Sequence, residues 1–165
     1  MPTGTRFVAL PLPAQCQAPS RTRFGGTTRL VFEAIHSDRL GASREAVWGL
    51  WADPARWPEW NEQFERVEGD IVPGATLTVK YRRGGRVRYD VVALEPQRLV
   101  IVEARFPGAR LGHEHRLGRR GNDVEVTHRL YVRGPLWPLF ALLLGRKRMR
   151  ASVVAFVERE RELVE

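Results

Sequence analysis

The chain has 165 residues, 43% of them apolar and 28% charged, which suits one globular domain with a substantial core and excludes a fibre or a disordered chain. Its net charge is +8, yet residues 28–78 are net acidic, and most of the remaining arginines fall singly along strand-like segments rather than in a nucleic-acid footprint. The single cysteine, Cys16, excludes an internal disulfide, and the longest apolar run, Leu139–Leu144, is far short of the ~20 residues that cross a bilayer.

Residues 1–27 carry Arg6, Arg21 and Arg23 with no acid and several prolines, and read as a flexible N-terminal extension. The domain is expected over residues 28–165. Thr28–Ser37 reads as a strand with Phe32 and Ile35 buried. Ser43 is a helix N-cap with Glu45 in the first turn, and Val47, Leu50 and Trp51 follow at helical spacing. Asp53-Pro54 restarts a helix, Asp as cap and Pro at the first helical position. Two short helices therefore follow the first strand.

Beyond Glu68 the period changes. Pro73-Gly74, Gly84-Gly85, Pro96, Pro107-Gly108 and Gly121-Asn122 separate alternating segments of strand length, the mark of an antiparallel meander. Alternation puts Leu77, Val79, Tyr81, Val87, Tyr89, Val91, Ala93, Val100, Val102, Ala104, Phe106, Leu111, His113, His115, Leu117, Val126, His128, Leu130 and Val132 on one face. The expected pairs include Glu95 with Arg98, Ala93 with Val100, Val91 with Val102, Tyr89 with Ala104, Tyr81 with Tyr89, Val79 with Val91, Phe106 with Leu111, Ala104 with His113 and His115 with His128. After Gly134-Pro135, a long helix is expected to bury Leu136, Phe140, Leu143, Leu144, Met149, Val153, Phe156, Val157 and Leu163, with a kink or break at Gly145.

This order, with Ala42-Ser43-Arg44-Glu45-Ala46-Val47-Trp48, Asp53-Pro54-Ala55-Arg56-Trp57-Pro58-Glu59-Trp60-Asn61, Pro73-Gly74-Ala75, Leu94-Glu95-Pro96-Gln97-Arg98-Leu99-Val100 and Gly134-Pro135-Leu136, resembles the START-like (SRPBCC) superfamily, in its polyketide cyclase/dehydrase-like branch. The resemblance covers about residues 28–165. It implies an α+β helix-grip fold: a seven-stranded curved antiparallel sheet around a long C-terminal helix, enclosing a cavity for lipids, polyketides or other apolar compounds. It implies no shared catalytic motif.

The sharpest chemical feature is His113, His115 and His128 on one apolar face, His115 directly opposite His128. Three roles stay open. The imidazoles can bond one another or buried water. They can serve a cavity ligand as polar handles or acid/base groups. They can bind zinc, against which no Asp, Glu or Cys falls on the expected inner face of the sheet. Tyr81 and Tyr89 add hydroxyls to the same wall. The ligand-lining set is Trp60, Tyr81, Tyr89, Val91, Val102, Phe106, His113, His115, His128, Leu130, Phe140 and Leu144. An enzyme would use His113, His115, His128 and Tyr89 as acid/base groups.

The expected function is binding of a small hydrophobic molecule. The alternative is a polyketide cyclase or dehydratase, and a remote third is a basic nucleic-acid or membrane-surface binder. With no phosphate loop or nucleophile elbow, no cofactor and no metal are expected. The expected setting is cytoplasmic, with a small apolar ligand as partner, no nucleic acid and no stable membrane insertion; oligomeric state stays open.

Overall fold

The computed structural model describes residues 31–121 and 123–165. The extension expected over residues 1–27, with Cys16, lies outside the described residues. The order is β1 (Val31–Leu40), α1 (Arg44–Ala52), a 3-10 turn (Pro54–Arg56), α2 (Trp57–Trp60), β2 (Phe64–Glu68), β3 (Thr76–Tyr81), β4 (Arg86–Glu95), β5 (Leu99–Phe106), β6 (Ala109–Arg120), β7 (Asp123–Arg133), α3 (Trp137–Leu144) and α4 (Arg146–Val164). The strands form one antiparallel sheet in the order β1-β7-β6-β5-β4-β3-β2. This is the helix-grip architecture.

The caps read from sequence are in place. The Ser43 hydroxyl accepts from the Ala46 amide at 3.1 Å, and the Asp53 carboxylate accepts from the Ala55 amide at 3.0 Å ahead of Pro54. Trp51, Trp57 and Trp60, from the helical segment, are buried against the sheet.

In β1 Phe32 is inward as expected, but Ile35 is not. Phe32, Ala34 and Leu40 are buried, whereas Ile35 is 51% exposed. Phe32, Ala34, His36, Asp38 and Leu40 pair with Val132, Leu130, His128, Val126 and Val124, so β7 sets the parity of β1.

The meander keeps its inner face except at Ala93, and it slides in register at three turns. Val91–Val102, Tyr89–Ala104 and His115–His128 pair as expected. Glu95 pairs with Leu99 rather than Arg98, and Ala93 with Ile101 rather than Val100, because Val92 bulges and Gln97 adopts φ 56 in the turn. Phe106 pairs with Ala109 and Ala104 with Leu111, since Pro107-Gly108 is a tight two-residue loop. Leu77 faces Tyr89 and Val79 faces Val87, displacing the expected Tyr81–Tyr89 and Val79–Val91 pairs. The slides at β3–β4 and β5–β6 are whole pleats and keep side chains on their expected side, whereas the one-residue shift at Val92 puts Leu94, opposite Val100, on the inner face in place of the expected Ala93.

The long helix breaks at Gly145, whose φ of 70 and ψ of 131 lie outside helical space. Met149, Val153, Phe156 and Val157 of α4 are buried as expected, but Leu136, Leu143 and Leu163 are exposed. Glu160 takes the buried place on the inner stripe.

Candidate functional site

β6 and β7 project His113, His115 and His128 inward, and α4 lowers Glu160 onto them from the other side. His115 Nδ1 lies 2.8 Å from His128 Nδ1, and His128 Nε2 lies 2.9 Å from Glu160 Oε2. The Trp51 indole N–H donates to Glu160 Oε1 at 2.7 Å. All five residues are buried.

Donor and acceptor logic orders this chain. Against a Glu160 carboxylate, His128 Nε2–H donates. A neutral His128 then accepts at Nδ1 from His115 Nδ1–H, and His115 Nε2 keeps a lone pair. That Nε2 has no hydrogen-bond partner, and neither has the buried Asn61 Nδ2. A proton arriving at His115 Nε2 can be relayed between the Nδ1 atoms, leaving His128 as an imidazolium beside Glu160.

Aromatic rings enclose the chain. Trp51, Trp57 and Trp60 stand 5.5, 5.9 and 5.4 Å from the His115 ring, and Phe156 stands 5.8 Å from His128. Burial holds His115 well below the ordinary histidine range, with His128 and His113 adding to the effect. An open groove of about 460 Å³ between α4 and the α2–β2 corner reaches Trp60, Asn61 and Phe156 from solvent.

A second polar set lies further along the sheet. The Tyr81 and Tyr89 hydroxyls share a 2.6 Å hydrogen bond, and Tyr89 meets the His113 ring edge-on at 5.4 Å. Burial pushes both phenols up, Tyr89 further than Tyr81. Burial pulls His113 down to about 3, helped by His128. Phe64 of β2 packs on Tyr81 at 5.2 Å and on His113 at 6.3 Å.

Of the residues singled out from the sequence, Trp60, Tyr89, Val91, Val102, His113, His115, His128 and Leu130 are buried on the inner side, and Tyr81, Phe106, Phe140 and Leu144 are half-buried. Phe106 and Phe140 pack at 5.4 Å at the other end, under α3. The twelve are thus split between the histidine chain, the tyrosine pair and the α3 roof.

Glu160 was not singled out. Its signal was helical spacing: it stands seven residues after Val153, four after Phe156 and three after Val157, all buried. His36 also escaped notice, although it pairs across β1–β7 with His128. The carboxylate judged missing from the histidine set comes from the helix, not from the sheet. The two imidazoles bond each other, and among the described residues no group of three His, Cys, Asp or Glu side chains is placed to hold a metal ion.

The family model for polyketide cyclase / dehydrase and lipid transport matches residues 35–165. Among solved structures, the chain is similar to truncated norcoclaurine synthase from Thalictrum flavum, with a TM-score of 0.63 and 15% identity over 84% of this chain and 96% of that one. DynU16, from the dynemicin biosynthetic locus, aligns at a TM-score of 0.62 and 18% identity over 79% of this chain and 46% of its own. A START superfamily protein from Mycobacterium smegmatis aligns at 0.62 and 12%, over 80% of this chain and 96% of that one. At such identities the likeness is one of fold. No curated protein sequence matches the chain. No helix among the described residues is long and apolar enough to cross a membrane.

Proposed function

The chain belongs to the polyketide cyclase / dehydrase and lipid transport family, within the START-like superfamily, and we propose that it holds a small lipid- or polyketide-like molecule between the sheet and its C-terminal helices. One observation carries this reading. Helix α4 leans chiefly on β1 and β7, whereas β4 and β5 turn Tyr89, Val91, Val100, Val102 and Ala104 inward, four of the five small and apolar. An apolar stretch of sheet away from the main contacts of the helix supports a site for an apolar guest. Tyr89, Tyr81 and His113 border that region and supply the few polar groups that orient such a ligand. A cytoplasmic setting belongs to the same proposal and accords with a single cysteine.

Native mass spectrometry of the purified protein, with denatured extraction of bound material, tests it. A co-purified apolar compound, or saturable uptake of an apolar fluorophore that Ala104→Phe blocks without loss of fold, is the expected result. An empty protein whose fluorophore response ignores Ala104→Phe would defeat the reading.

A second reading, catalysis, is favoured by the unpartnered His115 Nε2 at the end of the Glu160–His128–His115 chain. In it, His115 takes a proton from carbon next to a ligand carbonyl, the charge settles on His128 beside Glu160, and a tyrosine hydroxyl polarises the carbonyl. Replacing His115 by Gln should then lower turnover by roughly a hundredfold or more with little change in ligand affinity. Equal loss of affinity and turnover would reduce His115 to packing.

The arginines that raise the nucleic-acid alternative are largely engaged on the outer sheet face. Arg110 and Arg133 pair with Glu103, Arg116 and Arg129 with Glu114, and Arg105 with Asp90. This supports a solvated surface there rather than a phosphate-binding one.

A further inference from the structure

Helix α3 has the sequence Trp-Pro-Leu-Phe-Ala-Leu-Leu-Leu, apolar at every position, yet no residue in it is buried. Its inner stripe is accounted for. Trp137 stacks on Phe32 at 6.5 Å, Phe140 packs on Phe106, and Ala141 and Leu144 lean on the core. The outer stripe is not. Leu139, Leu142 and Leu143 are 50%, 81% and 66% exposed, with Leu136 beside them at 44%. A soluble surface helix normally places polar residues on that stripe.

The segment that follows is basic. Gly145 turns the chain, and Arg146, Lys147, Arg148 and Arg150 open α4, all exposed. No carboxylate among the described residues forms an ion pair with any of the four, in contrast to the paired arginines of the outer sheet face. The antiparallel order brings the β3–β4 turn to the same end of the sheet as α3, adding exposed Arg82 and Arg83.

We propose that α3 and the first turn of α4 form a docking surface for anionic lipid membranes. The four leucines enter the headgroup–acyl boundary, and Lys147, Arg148 and Arg150, with Arg82 and Arg83, meet lipid phosphates. Charge complementarity selects this occupant. An apolar stripe edged by unpaired cations matches an anionic bilayer, in which hydrocarbon lies directly beneath phosphate. Phosphate on nucleic acid would use the cations and leave the leucines in water. The surface roofs one end of the grip and stands whether or not a ligand is bound inside.

Sedimentation of the full chain with phosphatidylglycerol–phosphatidylcholine vesicles tests the surface, with phosphatidylcholine vesicles as reference. Preference for the anionic vesicles is expected. Lys147→Glu, Arg148→Glu and Arg150→Glu together should weaken it at least on the order of a hundredfold, since each cation near the surface contributes about fivefold. Leu142→Ser with Leu143→Ser should weaken binding to both kinds of vesicle by tenfold or more. Arg39→Glu with Arg119→Glu, at the opposite end of the sheet, should leave partitioning within a few-fold and so shows that net charge alone is not responsible. Circular dichroism of each variant separates lost binding from lost fold. Absence of vesicle binding overturns the proposal. So does binding that ignores the leucines, a leucine-dependent dimer in sedimentation equilibrium, or equally tight binding to duplex DNA that needs only the cations.

Discussion

Glu160 of α4 and His128 of β7, 32 residues apart, share a 2.9 Å hydrogen bond with both side chains out of solvent. Trp51 of α1 takes the second carboxylate oxygen, so one side chain joins the last helix, the sheet and the first helix. The rotation of α4 about its own axis is set by this three-way junction, because a slight turn would break both bonds.

Removing the carboxylate should therefore be costly. Glu160→Ala leaves the Trp51 indole and the His128 imidazole unpaired in the core, for a loss of about 3–5 kcal/mol. Glu160→Gln keeps an acceptor oxygen and should lose about half as much. Urea unfolding of the two variants decides the point; a cost under about 1 kcal/mol for Glu160→Ala would contradict the junction.

Acid sensitivity follows from the buried imidazoles. His113 and His115 stay neutral in the fold, held down mainly by burial, whereas an unfolded histidine protonates near pH 6.5. Above that pH neither state takes up the proton. Below it the unfolded chain does, and folded His113 follows only near pH 3. Stability is thus full above about pH 6.5 and falls as pH drops, by about 1.4 kcal/mol per unit for each histidine. His113→Phe should make the pH dependence of the unfolding free energy shallower by one proton's worth. An unchanged slope would mean that His113 titrates normally in the fold.

The three tyrosines give an optical check. Burial raises Tyr81 and Tyr89, while burial and a 2.6 Å hydrogen bond to the Glu103 carboxylate raise Tyr131. The folded protein should show almost no tyrosinate absorbance at about pH 10, where the same chain in denaturant is about half ionised. One tyrosine's worth of signal in the native state would show one phenol open to water.

Gly112 supports the outer face. A Cβ there would come within 2.1 Å of the Tyr131 ring, which lies across the glycine to reach Glu103. Gly112→Ala should displace Tyr131 and cost about 1–3 kcal/mol, and the loss should shrink in a Tyr131→Ala background, where nothing lies over the site. Full additivity of the two changes would refute the contact.

Much of this architecture could be read from period and punctuation. The inner face of β3–β7 and the His115–His128 pair follow from alternation, because a buried face tolerates only one parity. Register near the turns did not follow, since the Val92 bulge and the left-handed Gln97 shift the pairing, and beyond the bulge Leu94 rather than Ala93 faces the core. β1 misled because Ala34 and Ile35 are adjacent apolar residues on an edge strand, and only pairing with β7 decides which one faces inward. Glu160 was passed over for a simple reason: hydropathy treats a carboxylate as a surface residue, although its spacing from Val153, Phe156 and Val157 places it on the buried stripe. A helix carrying one charge among its buried positions needs a partner, and two inward histidines were available to supply it.

The adjacency of β1 and β7 also bears on how the chain reaches this state. Ser37 and Thr127 bond across a separation of 90 residues, and the Gly41 amide is held by the Glu165 carboxylate. The hairpins from β3 to β7 can form by short-range closure, but β1 has no neighbour until β7 exists, and the tryptophans behind it have no lid until α4 arrives. The slow step of folding should then be the late capture of β1. A chain emerging from the ribosome would hold its first strand open until almost all of the domain had been made.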